Sequence, residues 1–262
     1  MNNLRIIQQM ILLILCSCCT SVFAQFSPAT TKASHPVTEE FIQQNLIYPE
    51  SDFQSGNKGK VVVSFHLDDK GNGSDYVVKE SFSEAANDNA LDIVKRILWN
   101  PATNNMLPIE SEMEYTVEYS PKTYKRYWKK HERMEIPLTL EADSSYHIYE
   151  VRQLEETAKP YFKDGSTMAK YILNNLKYPE AAKMAEVNGT VKLSFVVETN
   201  GNVSNITIVK SVGGGCDNEA IRLIQETHWI PAVKNGQYVR SHNTQEITFN
   251  IGNRNYQDGN AY

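Results

Sequence analysis

The sequence predicts an α+β protein that contains two copies of one small fold, each a short antiparallel sheet with helices packed on one face. Two observations lead to this prediction. The pentapeptide "LIYPE" at 46–50 returns as "LKYPE" at 176–180, 130 residues later, and the match continues without a gap. Each copy also alternates apolar and polar residues along two neighbouring stretches and then changes to helical spacing.

The repeat keeps turn glycines and large apolar residues in the same places. The matched pairs include Gly59 and Gly189, Phe65 and Phe195, Gly71 and Gly201, and Trp99 and Trp229. A chain of 262 residues has room for two domains of roughly 80–100 residues. We therefore predict a leader at 1–24, a first domain at 25–120, a linker at 121–154, a second domain at 155–252 and a flexible tail at 253–262.

In the second copy, a short helical segment comes first and a β-hairpin follows. "AKYILNNLKYP" at 169–179 has helical spacing, which Pro179 limits. "GTVKLSFVVETNGNVSNITIVKS" at 189–211 alternates on both sides of Asn200–Gly201, a pair that suits a turn with positive φ.

An amphipathic helix and a last strand complete the copy. Asp217 and Glu219 place negative charge at the start of the helix, as the helix dipole favours. In "NTQEITFNI" at 243–251, we expect Ile247, Phe249 and Ile251 to face the core.

The linker has a different composition from the two copies. "PKTYKRYWKKHER" at 121–133 is basic and aromatic, which is typical of a solvated helix face; binding to phosphate or to an anionic envelope polymer is the alternative. Two alternating runs surround "EADSS" at 141–145, and they predict a hairpin that joins one of the domains.

Residues 1–24 are typical of a signal peptide, with an apolar run followed by a small-residue cleavage site after Ala24. Export to the periplasm follows from this interpretation. Two alternatives stay open: an outer-membrane lipoprotein acylated at Cys18, because "LCSC" at 15–18 resembles a lipobox, and an uncleaved anchor shorter than the ~20 residues of a membrane span.

After cleavage, Cys216 is the one cysteine left, and a buried thiol is the simplest interpretation of it.

The residues give no support to catalysis, to a metal site or to nucleic-acid binding. The histidines show no metal-ligand spacing, and "DDKGNGSD" at 68–75 fails as a calcium loop because Lys70 and Lys79 take ligand positions. A net charge of −5 offers nucleic acid no broad basic surface. We predict a non-enzymatic protein with no cofactor and no catalytic residue.

The second copy resembles the TonB C-terminal domain family. The likeness rests on "PYFKDG" at 160–165, "YPEAA" at 178–182, "NGTVKLSFVVETNGNV" at 188–203, "SVGGGCDNEAIRLI" at 211–224 and "WIPAVKNGQ" at 229–237. It covers residues 155–251, and residues 38–119 resemble the family more faintly, as a degenerate copy.

The resemblance implies that the protein binds a protein or peptide partner by adding a strand to a sheet edge, with a link to TonB-dependent transport through segments of outer-membrane transporters. The edge it implies is 243–250. Thr244, Glu246 and Thr248 then lie on the face near the partner, and Tyr178 and Pro179 border the same groove. Tyr178, Pro179 and Trp229 recur in both copies, and a role in packing is the alternative for them. A structural envelope protein, a homodimer joined through its edge strands, is the alternative.

Overall fold

The computed structural model describes residues 25–131 and 136–252. The predicted leader, the predicted tail and residues 132–135 lie outside the described residues. Within the two described ranges, no helix combines the length and the apolar character needed to cross a membrane.

The first copy is built around a three-stranded antiparallel sheet. Its elements are β1 (Phe26–Ser27), β2 (Thr30–Thr31), α1 (His35–Asn45), α2 (Glu50–Ser55), β3 (Gly59–Leu67), β4 (Gly73–Glu80), α3 (Glu84–Arg96), β5 (Trp99–Asn100), β6 (Ala102–Asn104), β7 (Leu107–Ile109) and β8 (Ser111–Tyr119). The strand order is β4-β3-β8, and β1, β6 and β7 form a small sheet beside it.

The linker and the second copy follow with the same kind of elements. They are α4 (Pro121–Lys130), β9 (Ile148–Tyr149), a 3-10 turn (Val151–Gln153), β10 (Lys159–Tyr161), α5 (Met168–Asn175), α6 (Glu180–Met184), β11 (Gly189–Val197), β12 (Val203–Lys210), α7 (Cys216–Gln225), β13 (His228–Ile230), β14 (Ala232–Lys234) and β15 (Gln237–Phe249). The strand order is β12-β11-β15-β14, with β9 paired to β15.

The duplication is confirmed in detail by the geometry of the two hairpins. β3 and β4 correspond residue for residue to β11 and β12, and the register shifts fall at equivalent places in both. Gly71 and Gly201 have φ of 84° and 81°. At each of them an added Cβ would come within 2.3 Å of a tryptophan carbonyl, that of Trp99 or of Trp229. Both turns therefore require glycine for the same reason.

Each copy has its own apolar core between the sheet and the helices. In the first copy Phe65 packs beside Trp99 under α3, and in the second Phe195 packs beside Trp229 under α7. Helices cover one face of each sheet, so the predicted fold class is confirmed. Ile251 differs from its prediction: it is 40% exposed, because β15 ends at Phe249 and the chain turns.

The linker does not form the predicted hairpin among its described residues. Its first part is α4, whose Tyr124 packs against Tyr48 and Phe53 of the first copy. This part of the linker contacts the second copy instead: Thr139 N of the first run donates to the hydroxyl of Tyr238 at 3.3 Å, Ala142 bridges to Tyr238, and β9 in the second run pairs in parallel with β15. Pairing with an existing sheet is more stable than an isolated two-stranded hairpin, which is marginal in water.

Helix α1 connects the two cores. Phe41 and Ile42 belong to the core of the first copy, whereas Val37, on the first turn of the helix, and the preceding Ala33 belong to the core of the second. The two domains therefore share one helix, and its first turn covers apolar surface of the second domain.

Candidate functional site

The outer side of β15 is the candidate binding site. On one side, residues 241–249 of β15 pair in antiparallel register with β11 along its whole length. On the other side, no strand of the described chain pairs with residues 242–249, which we call the free edge. Because backbone groups in an antiparallel pair alternate in direction, about every second residue of the free edge directs its N–H and C=O away from the sheet.

Three of the residues predicted from the sequence lie in one row beside the free edge. Thr244, Glu246 and Thr248 are all exposed and share the sheet face that no helix covers. The hydroxyl of Thr248 lies 3.0 Å from that of Thr190 on β11, and Glu246 Oε1 lies 3.5 Å from Lys192 Nζ. The row is thus held in place from the β11 side and open on the other.

Tyr178 and Pro179, the other two predicted residues, lie below the strand. Tyr178 is 6% exposed; its hydroxyl donates to the carbonyl of Val187, and its ring packs edge-on against Phe249 at 5.8 Å. Pro179 is half-buried and precedes α6. Tyr48 of the first copy makes the equivalent bond to Asn57. Tyr178 therefore supports the end of β15 and offers a partner very little surface.

The linker closes one end of the free edge. Ile148 and Tyr149 pair with Arg240 and Ser241, so the chain itself already adds a short strand to β15. The linker then turns away through the 3-10 turn, and Glu150 Oε1 lies 3.5 Å from His242 Nδ1. The sequence predicted an extended run here but gave it the wrong partner, because pairing with a strand that is distant in sequence leaves no local pattern.

A buried ion pair fixes the place where the linker joins the sheet. Arg240 donates to Glu198 at 2.9 and 3.0 Å, and the two residues are 3% and 1% exposed. The same guanidinium donates to the carbonyls of Tyr146 in the linker and of Arg96 in the first copy. Ser204 donates to Glu198 as well. Charged residues are seldom fully buried, so the sequence alone gave no reason to place them here.

The corresponding edge of the first copy has a different charge. β8 pairs with β3 on one side, and no described strand pairs with the other. Its exposed face carries the carboxylates of Glu112, Glu114 and Glu118. In the repeat, Glu114 and Glu118 correspond to Thr244 and Thr248. Charged side chains on an edge strand discourage pairing, so the two edges differ in how readily they accept a strand.

The described residues contain little that is suited to chemistry. No group of three or more His, Cys, Asp or Glu side chains within 25–131 and 136–252 is arranged to hold a metal ion. Cys216 is fully buried in the core of the second copy, and this burial raises the pKa of its thiol. A buried thiol with a raised pKa carries little thiolate and is a poor nucleophile.

Comparison with known proteins identifies a family. The profile of the family described as Gram-negative bacterial TonB protein C-terminal matches residues 44–121 and 174–251, together more than half of the chain. No curated protein matches the sequence.

Solved structures also match. A solution structure of the Helicobacter pylori TonB C-terminal domain is 22% identical, covers 32% of this chain and 78% of its own, and has a TM-score of 0.24. A solution structure of the Pseudomonas aeruginosa TonB C-terminal domain is 22% identical, covers 41% and 98%, and has a TM-score of 0.30.

Proposed function

The chain belongs to the TonB C-terminal family and carries its domain twice, and we propose that it is a non-enzymatic envelope protein. It binds an extended segment of a partner protein by strand addition. The partner segments we propose are those that outer-membrane transporters expose to the periplasm. The protein acts there after export, with cleavage of 1–24, and the lipoprotein acylated at Cys18 is the alternative.

One observation carries the proposal: the eight residues of the free edge pair with β11 on one side and have no strand on the other side among the described residues. A typical strand is about five or six residues long, so the edge has room for one. Backbone hydrogen bonds to the edge would supply affinity, and they require no particular sequence in the partner.

Selection among partners would come from the exposed row beside the edge. A side chain on an added strand that faces Glu246 is favoured if it is basic, because opposite charges on neighbouring strands attract. Thr244 and Thr248 flank this carboxylate and suit β-branched or hydroxyl side chains. The linker strand β9 limits the partner to positions beyond Ser241.

The test uses the first copy as the template for a variant. The double substitution Thr244→Glu with Thr248→Glu gives the free edge the carboxylates that the first copy already has at Glu114 and Glu118. Full-length protein is used to capture solubilised outer-membrane transporters from envelope extract. We expect the double variant to lose capture by about tenfold or more, since added charged side chains along an edge strand oppose its pairing with another strand.

The matched control places a new carboxylate on the other edge. Thr116→Glu lies on β8 at an exposed position, so we expect it to leave capture unchanged. Equal capture by wild type and the double variant would contradict the proposal. Deleting 243–251 is a poorer test, because it removes the buried Ile247 and Phe249 and with them part of the core.

Self-association is the second candidate function, and the two edge strands favour it. β8 and residues 242–249 of β15 each leave one side without a strand in the described chain, so edges of two protomers could pair. Sedimentation at increasing concentration distinguishes the candidates. A structural dimer predicts that the wild type associates and that the Thr244→Glu and Thr248→Glu double variant does not. Partner binding predicts that the wild type is a monomer and captures transporters.

A further inference from the structure

The β6–β7 hairpin of the first copy carries an unfavourable residue at its turn. Asn105 and Met106 have φ of 50° and 65°, and the equivalent residues of the second copy, Asn235 and Gly236, have φ of 51° and 71°. Tight hairpin turns of this kind favour Asn-Gly, and a bulky side chain at positive φ is strained. A methionine in the place of glycine costs folding free energy. A function of this side chain other than folding would explain its presence at the turn.

The side chains around this turn form an exposed apolar group. Met106 is 85% exposed, Leu107 is 69% exposed and Phe26 is 62% exposed. Phe26 pairs with Asn104, which in turn pairs with Leu107, so Phe26 and Leu107 lie on the same face of the small sheet. We call these three residues the apolar tip.

The two sequence segments that form the apolar tip contain no charged side chain. Residues 25–31 and 97–109 include no Asp, Glu, Lys, Arg or His, in a chain that is 22% charged. The equivalent turn of the second copy differs: it follows Lys234, and the carboxylate of Glu155 accepts hydrogen bonds from the backbone N–H groups of Asn235 and Gly236. Transfer of the side chains of the apolar tip out of water therefore costs little free energy. Transfer of the Asn235–Gly236 turn, with Lys234 and Glu155 beside it, costs much more.

The chain also reaches the described structure at the apolar tip. Gln25 N donates to Asn105 Oδ1, and Asn105 N donates to the carbonyl of Gln25, both at 3.1 Å. The segment that precedes Gln25 contains the apolar run "MILLILCSCC" at 10–19. Cleavage after Ala24 would remove this run, whereas acylation of Cys18 would keep a lipid anchor a few residues before the tip.

We infer that the apolar tip inserts into the interfacial region of a lipid bilayer and holds the first copy against the membrane. Three side chains at a turn cover far less than the roughly 800 Å² per partner that a stable protein interface buries. A bilayer needs no matching shape, and a few large apolar side chains are enough for weak, reversible docking. This inference is independent of strand addition at the second copy.

The experiment reports the depth of the tip in the full-length chain. Vesicles of phosphatidylethanolamine and phosphatidylglycerol with brominated acyl chains quench tryptophans that reach the hydrocarbon. The chain is reconstituted with them as the wild type, as Met106→Trp, and as Gly236→Trp, which probes the equivalent turn of the second copy. Leu107→Trp provides a second probe within the tip.

We expect the fluorescence added by Met106→Trp and by Leu107→Trp to shift to the blue and to be quenched by bromine, whereas that added by Gly236→Trp is neither shifted nor quenched. Absence of quenching at both tip positions would overturn the inference. Equal quenching at positions 106 and 236 would also overturn it, since it would mean adsorption without orientation. A dimer in solution that the Met106→Gly variant dissociates would overturn the inference as well, because the apolar tip would then be a contact between proteins.

Discussion

Arg240 is the residue on which three parts of the chain converge. Its guanidinium contacts Glu198 within the second copy, Tyr146 in the linker and Arg96 in the first copy, all through hydrogen bonds of 2.7–3.0 Å. A buried carboxylate that loses its partner retains the full cost of its desolvation. The first copy has Glu110 at the position equivalent to Arg240, so this junction exists once in the molecule.

Replacing Arg240 with alanine therefore has a large expected effect. The Arg240→Ala variant leaves Glu198 buried without its main partner, and we expect the free energy of unfolding to fall by about 3–5 kcal/mol. Urea denaturation followed by circular dichroism measures this. Lys192→Ala, which breaks the exposed pair with Glu246, is the control and should cost less than about 1 kcal/mol. Similar losses for both variants would show that the buried pair has no special role.

The turns of the two hairpins act at the level of the element. Asn200–Gly201 closes β11 and β12, and the backbone N–H of Trp229 donates to the carbonyl of Gly201 at 2.9 Å. This contact fixes the hairpin against the segment that follows α7. The close approach of the two backbones leaves no space for a side chain at Gly201.

We expect Gly201→Ala to destabilise the protein by more than about 1 kcal/mol, because alanine combines a positive φ with a clash against the carbonyl of Trp229. Gly236→Ala is the matched control: its φ is 71°, but nothing lies within 4 Å of the added Cβ. Thermal unfolding of both variants makes the comparison. A smaller loss at Gly201 than at Gly236 would contradict the close approach.

Local patterns predicted the paired elements well and the distant contacts poorly. The hairpins, α7 and the alternation of Ile247 and Phe249 follow from spacing within a few residues, and the fold class follows from the repeat. β9 and the Arg240–Glu198 pair depend on residues that are 42 or more positions apart. Alternation placed Thr244, Glu246 and Thr248 opposite the core-facing residues, and all three are exposed. The burial of Tyr178, in contrast, depends on Phe249, which is distant in sequence.

At the scale of the whole molecule, the two copies form one structure. α1 contributes Val37 to the second core, and Asn205 of the second copy accepts from Leu98 N and donates to the carbonyl of Arg96. The first copy thus contributes a side chain to the second core, and the second copy contributes a side chain that binds the backbone of the first. We therefore expect the second copy to be less stable when it is separated from the residues that precede it.

The Val37→Ala variant tests this coupling. Removing two buried methyl groups should lower the free energy of unfolding by roughly 1–2 kcal/mol. Hydrogen exchange measured by mass spectrometry should show faster exchange in β12 of the second copy, against which α1 packs, although Val37 itself lies in the first copy. Faster exchange confined to residues 38–119 would contradict a shared helix.

The central claim is that residues 242–249 are a site for strand addition, and amide hydrogen exchange along β15 tests it most directly. The full-length protein is measured alone and with synthetic peptides from the periplasmic segments of outer-membrane transporters. We predict that peptide slows exchange at about every second amide of 242–249 and leaves 111–119 unchanged. Peptide that binds while exchange in 242–249 stays the same would contradict the claim.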